Sequence, residues 1–147
     1  MKTISDKVIC GICGNGHLDS RVKKHVVEYR ATQNLLEVEY SICDGCGSEQ
    51  AAGNQLRNNK RAMIRLKKSV DGLLTGKEVR AIRERLNLSQ ADAARVFGGG
   101  PVAFSKYESD DVTQSEAMDK MIRLAGDLPT AFEYLVRQAG ITHASAR

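Results

Sequence analysis

Two pairs of cysteines constrain this chain more than any other feature. All four of its cysteines lie in them, as Cys10-Gly-Ile-Cys13 and Cys43-Asp-Gly-Cys46. Each pair offers two sulfurs from one tight turn, and two such turns can supply four thiolates to a tetrahedral ion. Glycine follows each pair, at Gly14 and Gly47. The backbone amides must fold back toward the sulfurs there, and glycine permits the positive φ this needs. Four thiolates close the shell around one Zn²⁺, so the site reads as structural. The same spacing also suits an iron centre of rubredoxin type. Disulfides do not suit a chain whose start, MKTISDKVIC, lacks a secretory apolar core. A thioredoxin-like pair would open a helix in a βαβ unit, and none is visible. His17 and His25 read as surface or hydrogen-bonded residues, since four sulfurs suffice.

Between the pairs, LLEVEYSI alternates. Leu36, Val38, Tyr40 and Ile42 point one way, and Glu37, Glu39 and Ser41 the other, which predicts a half-buried strand. His25 to Arg30 is its expected partner, with Ala31 to Asn34 as the turn. After a short lead-in over residues 1–8, these elements make a metal-stapled β-hairpin domain spanning 1–48. Such a unit is too small to hold together by its core, so the metal supplies much of its stability.

A basic connecting helix and linker follow, over 49–72. Ser48 is the expected cap of a helix from about 49 to 69, with Leu56, Met63 and Val70 on a narrow apolar stripe. Residues 55–68 carry six Lys and Arg and no acid. Asp71-Gly72 ends the helix.

Residues 73–140 read as an all-α domain of five helices. Thr75 and Glu78 form a capping box, with Leu74 and Val79 spaced as a staple across it. Ser89 caps the second helix, with Asp92 in its first turn. Gly98, Gly99 and Gly100 break the chain, Gly100 is placed as the next cap, and Pro101 is expected to open the third helix. A tight glycine turn between the second and third helices is the layout of a helix-turn-helix. Inward faces are Val79, Ile82 and Leu86; then Ala91, Ala94 and Phe97; then Ala103, Phe104 and Tyr107. Thr113 and Glu116 form a second expected capping box, for a helix over about 114–126 with Met118, Met121, Ile122 and Ala125 apolar. Pro129 opens the last helix, to about 139, with Phe132, Leu135 and Val136. Two terminal helices exceed what a three-helix reader needs, which points to a homodimer interface. Residues 141–147 read as a flexible tail. The expected fold class is α+β in two domains, a small zinc-bound β-hairpin followed by a five-helix domain whose Leu88-Ser89-Gln90 start resembles helix-turn-helix domains of Xre/Cro type.

In a helix-turn-helix the later helix enters the DNA major groove. Its outward face here is Val102, Ser105, Lys106 and Ser109. Lys106 can donate to guanine O6/N7 or to phosphate, Val102 can meet a thymine methyl, and Ser105 can reach either a base or the backbone. Gln90, at the start of the second helix, is placed for a phosphate. Charge supports this partner. Residues 1–72 hold 12 Lys/Arg against 8 Asp/Glu, while residues 73–147 hold 10 of each. Beside a DNA-reading motif, the basic stretch with Lys60, Arg61 and Lys67 suits phosphate contact. No run is apolar enough to span a membrane, and cytoplasmic residence is expected. An enzyme is not expected: no nucleophile–base set, paired carboxylates or open metal site is visible.

The two-pair β unit, the connecting helix and the run LSQADAARVFGGGPVAFSKYE together resemble the MqsA/YgiT-type antitoxins, over roughly residues 8–138. Phe97-Gly98-Gly99-Gly100 followed by Ala103-Phe104-Ser105-Lys106-Tyr107-Glu108 is the most specific part. The resemblance implies a bacterial antitoxin of a type II toxin–antitoxin system. Its zinc domain would bind a cognate toxin, an mRNA-cleaving ribonuclease. Its C-terminal domain would dimerise and bind a palindromic double-stranded operator, repressing its own operon and placing the protein on the nucleoid when DNA-bound. The chain departs from the family's best-known member at two base-reading positions, with Val102 in place of Asn and Lys106 in place of Arg. Valine cannot make the bidentate adenine contact of asparagine, so that sequence code does not carry over. The competing reading is a stand-alone zinc-containing Xre-family regulator without a toxin partner.

Overall fold

The computed structural model describes residues 7–142. The expected tail from residue 143 on, and most of the expected lead-in, lie outside the described residues. The order is β1 (Leu18–Tyr29), β2 (Thr32–Cys43), β3 (Glu49–Gln50), then α1 (Gly53–Asp71), α2 (Gly76–Arg85), α3 (Gln90–Phe97), α4 (Ala103–Glu108), α5 (Glu116–Asp127) and α6 (Pro129–Ala139). This is the expected α+β layout. Two compact units divide between Met63 and Ile64, within α1. Among the described residues, no helix is long and apolar enough to cross a membrane.

The first unit is a long ribbon. β1 and β2 pair antiparallel from Leu18↔Cys43 to Tyr29↔Thr32. The hairpin is longer and its turn tighter than the alternation predicts. Arg30 and Ala31 alone make the turn, at φ 49° and 60°. Positive φ at both central residues matches the twist of the flanking strands, so pairing resumes at once at Thr32. β3 pairs with Ser41 and Ile42 only, leaving the order β1-β2-β3.

Ser48 does not cap a helix. Its carbonyl accepts from the Cys43 amide at 3.0 Å, and the chain stays extended through β3 before α1 begins at Gly53. Polar side chains then tie α1 to β2. Buried Gln55 donates to Ser41 Oγ at 2.8 Å, which buries Ser41 on the face the alternation assigns to solvent. Asn59 accepts from the Glu39 amide at 2.8 Å and donates to the Glu39 carbonyl at 2.9 Å, acting as a strand would on that edge. Among the described residues, the outer edge of β1 meets the Val8 carbonyl, which accepts from the Leu18 amide at 2.8 Å, and no further strand.

The second unit has a conventional apolar core. Leu74, Val79, Leu88, Ala93, Ala94, Val96, Phe97, Ala103, Phe104, Met118, Ile122 and Ala125 are buried together. Phe104 is its centre, with Phe97 and Tyr107 rings each 5.6 Å away. In α3 the inward set is Ala93, Ala94, Val96 and Phe97, while Ala91, expected inside, is exposed. Ala91 lies in the first turn, where the helix enters from the surface at Ser89. α4 begins later than expected. Pro101 lies in a turn closed by the Ala103 amide on the Gly100 carbonyl at 3.2 Å, and Val102 is the N-cap. Three consecutive glycines at φ 90°, 98° and 91° carry the chain past the position where proline would start a helix.

The cap of α5 also shifts. Ser115, not Thr113, accepts from the Met118 amide at 3.1 Å. The buried Gln114 side chain binds the Leu74 carbonyl at 2.7 Å and Asp119 at 3.0 Å, which holds the preceding link extended. Other local signals hold. Glu78 accepts from the Thr75 amide at 3.1 Å in the capping box, Ser89 Oγ accepts from the Asp92 amide at 3.0 Å, and Pro129 opens α6.

Candidate functional site

The four sulfurs come together, all within 4.8 Å of one another. Two near-identical turns present them. In the first, Gly14 at φ 71° donates to the Cys10 carbonyl at 2.9 Å; in the second, Gly47 at φ 71° donates to the Cys43 carbonyl at 3.0 Å. The turned amides reach the sulfurs as the sequence requires. Ile12 donates to Cys10 Sγ at 3.4 Å, Gly16 to Cys13 Sγ at 3.3 Å, and Gly45 and Cys46 to Cys43 Sγ at 3.3 and 3.4 Å. Gly16 and Gly45 face each other between the turns. A Cβ on Gly16 would collide with the Cys43 sulfur and the Gly45 amide, so this glycine is fixed by space rather than by φ.

The separations fit a tetrahedral ion. Zn–S bonds of ~2.3 Å set sulfur–sulfur edges of roughly 3.8 Å. The observed edges are 3.9 Å for Cys10–Cys46 and 3.7 Å for Cys13–Cys43. Protonation tells the same story. The Cys13 amide, with the Ile12 amide and Gln50, holds the Cys10 thiol down at about 5 against the cost of burial. The Cys43 thiol is also lowered by the Cys46 amide, but burial and the neighbouring Cys10 and Cys46 thiols push it up to about 11. Four thiols cannot all ionise side by side without a cation to offset them. The donor set therefore fits one metal ion held by Cys10, Cys13, Cys43 and Cys46.

Two further residues complete this centre, and sequence spacing did not single them out. Gln50 Nε2 donates to Cys10 Sγ at 3.0 Å, and Ser48 Oγ lies 3.1 Å from Cys46 Sγ. Such contacts orient the sulfurs and moderate their charge. The only sequence cue is their position just past the second pair. His17 and His25 are exposed. The His17 backbone, not its ring, serves the site, through an amide 2.7 Å from Asp44 Oδ1.

In the second unit α4 divides cleanly. Ala103 and Phe104 are buried and Tyr107 half-buried, while Ser105 and Lys106 are exposed and Val102 is 55% exposed. Gln90 is exposed at the first position of α3. Ser109 differs from the others. It is the C-cap of α4, and its hydroxyl donates to the Lys106 carbonyl at 3.3 Å and contacts Asp111 at 2.9 Å.

The basic stretch is not a uniform wet face. Lys60 and Lys67 are exposed and Arg61 is half-buried. Lys68 is fully buried and bonded to Asp110 and to the Tyr107 carbonyl. It therefore leaves the set of cations available to a phosphate, and composition gave no sign of that.

The family described as the antitoxin component of the bacterial toxin–antitoxin system, MqsA, matches residues 8–135. Among curated proteins, Antitoxin MqsA of Escherichia coli (strain K12) is 25% identical over 123 residues, covering 82% of this chain and 93% of that protein. With a four-cysteine β-hairpin unit followed by helices across that same span, the chain belongs to the MqsA family of toxin–antitoxin antitoxins.

Proposed function

We propose that this antitoxin neutralises a cognate ribonuclease toxin through its N-terminal unit and, as a homodimer, represses its own operon by binding double-stranded operator DNA through its C-terminal unit. Its working parts are a zinc-binding β domain over 1–48, a basic connecting segment over 49–72 and a DNA-binding and dimerisation domain over 73–140. Cys10, Cys13, Cys43 and Cys46 would hold one Zn²⁺, whose role is to fasten the two turns and not to react.

The observation that carries the DNA reading is the two-sidedness of α4. Its inner residues are locked in the core, while Val102, Ser105 and Lys106 are presented together to solvent beyond a glycine turn. Lys106 would contact guanine or phosphate, Val102 a thymine methyl, Ser105 a phosphate or a base, and Gln90 a backbone phosphate; Ser109 would lie at the rim. Lys60, Arg61 and Lys67 would meet phosphates. Dimerisation is supported by Leu124, Leu128 and Tyr134, each about half exposed, and by the lack of any buried residue along α6. Toxin docking is supported by the β ribbon, whose edge strand β1 has no further strand beside it among the described residues and whose Val22, Val26 and Leu35 are exposed.

The test starts from a duplex selected out of a random library by the full-length protein. Lys106→Ala should weaken binding to that duplex by ~1–3 kcal/mol and binding to random DNA by less. An equal loss on both would make Lys106 a phosphate contact. Expression from the native operon should co-purify a small partner that cleaves RNA. Purification without any partner, with DNA selection intact, would favour the stand-alone regulator.

A further inference from the structure

Lys68 carries a charge where none is expected. Its side chain is wholly buried at the C-terminal end of α1, in the second unit. Its ammonium donates to Asp110 Oδ1 at 3.0 Å and to the Tyr107 carbonyl at 3.1 Å. Asp110 is 2% exposed and also accepts from Arg65 Nε at 3.0 Å and from the Gly76 amide at 2.9 Å. It sits just past the α4 C-cap at φ 60°, a left-handed conformation that Asp tolerates better than most residues.

This network closes on the end of the reading helix. The carbonyl that Lys68 binds belongs to the last turn of α4, where an ammonium also meets the negative end of the helix dipole. Gly76 lies against the next carbonyl, that of Glu108, so closely that a Cβ there would collide with it. The Glu108 carboxylate is gripped by Arg83 in a fork, at 2.8 and 2.9 Å. α4 has only six residues, far too few to be helical or oriented by itself. Ala103 and Phe104 hold its inner side in the core, and its tilt is then set by what holds its end.

A buried ion pair is a weak source of stability, because desolvating both charges costs about as much as their attraction returns. Its better-attested use is to specify one arrangement among several. We propose that Lys68 and Asp110 are positioning residues for DNA recognition. They fix the tilt of α4 and register the last turns of α1 against it, so that Lys106 and Lys67 meet one duplex together. Neither residue touches DNA. The proposal rests on the DNA-reading function above.

The double variant Lys68→Met/Asp110→Asn keeps side-chain volume and removes the buried charges together. Full-length, zinc-loaded protein would be titrated by fluorescence anisotropy, against the duplex selected by wild type and against random duplex, over a range of salt. At a temperature where circular dichroism shows the variant fully folded, its preference for the selected duplex should fall on the order of tenfold, the scale of one misaligned base contact. The salt slope should flatten as phosphate contact from α1 is lost. Arg65→Gln removes only the half-exposed arm of the network and should lower the preference in the same direction by less; it decides the matter if the double variant does not fold. A folded double variant with wild-type preference and slope overturns the proposal, and so does an unfolded one accompanied by an unchanged Arg65→Gln. If wild type itself selects no duplex, the DNA-reading function falls, and this role falls with it.

Discussion

The two units reach a defined fold by opposite means. In the first, the only buried apolar residues among those described are Cys10, Leu36 and Cys43, and two of these are sulfur donors. Its long ribbon leaves Val22, Val26 and Leu35 in solvent, and its contacts to α1 run through Gln55 and Asn59. In the second, twelve buried apolar residues form one cluster, and its buried polar groups pair around Asp110 and Asp119. The difference teaches where each unit can afford exposed apolar surface. A ribbon fastened at one end by a cross-link can leave its far end open for a partner. A core-built unit places most of its apolar residues inside, and those it leaves open, Val102 on α4 and Leu124, Leu128 and Tyr134 near its C-terminal end, lie on an already ordered scaffold.

The largest expected effect follows from that contrast. Removing the metal proposed for the four cysteines with a strong chelator, or replacing Cys43 by Ser, should unfold the first unit, because its strand pairing and polar ties bury too little apolar surface to offset the chain entropy of its turns. Amide spectra of the intact protein should lose the dispersed signals of residues 18–50 and keep those of 76–139. Survival of the ribbon signals without metal would mean that the strand pairing suffices, and the comparison above would be wrong.

How much of this was legible in the sequence divides along the same line. The two cysteine turns were legible because their chemistry is local: two cysteines, an amide that must turn back, and a glycine to let it. The caps at Thr75 and Ser89 and the opening proline of α6 were legible for the same reason. Ser48, Thr113 and Pro101 carry equally good local signals, yet none of them starts a helix. Tertiary partners override two of them, β2 pairing for Ser48 and the buried Gln114 side chain for Thr113, while the glycine-led turn just before it overrides Pro101. Lys68 was illegible in principle. A lysine within a run of cations reads as solvated, and only the fold brings Asp110, 42 residues away in sequence, to meet it.

A smaller effect should appear in the second unit alone. Phe104 is 1% exposed and touches the rings of Phe97 and Tyr107. Phe104→Ala should cost about 3–5 kcal/mol through lost burial and an unfilled cavity. Denaturant unfolding followed in the helical unit should show that loss, while metal content and the ribbon signals stay at wild-type level. A matching loss of metal would show that the two units fold as one cooperative block rather than by separate means.

The smallest effect tests whether polar burial in the second unit adds to its apolar core. Asp119 is 4% exposed. Burial alone would raise its carboxyl, but the Leu74 amide at 2.8 Å, Arg123 at 2.8 Å and Gln114 at 3.0 Å outweigh it and hold the group below its ordinary value. A carboxylate depressed on folding contributes stability that is fully present above its unfolded value, near ~4, and is lost as pH falls through the folded value. Thermal unfolding of the helical unit should therefore drop in temperature as the solution is acidified below about pH 4. Asp119→Asn should lower stability at neutral pH by on the order of 1 kcal/mol, since an amide oxygen still accepts from Leu74 but no longer pairs with Arg123. It should also flatten the acid limb. An unchanged acid limb in Asp119→Asn would assign that dependence to other carboxylates.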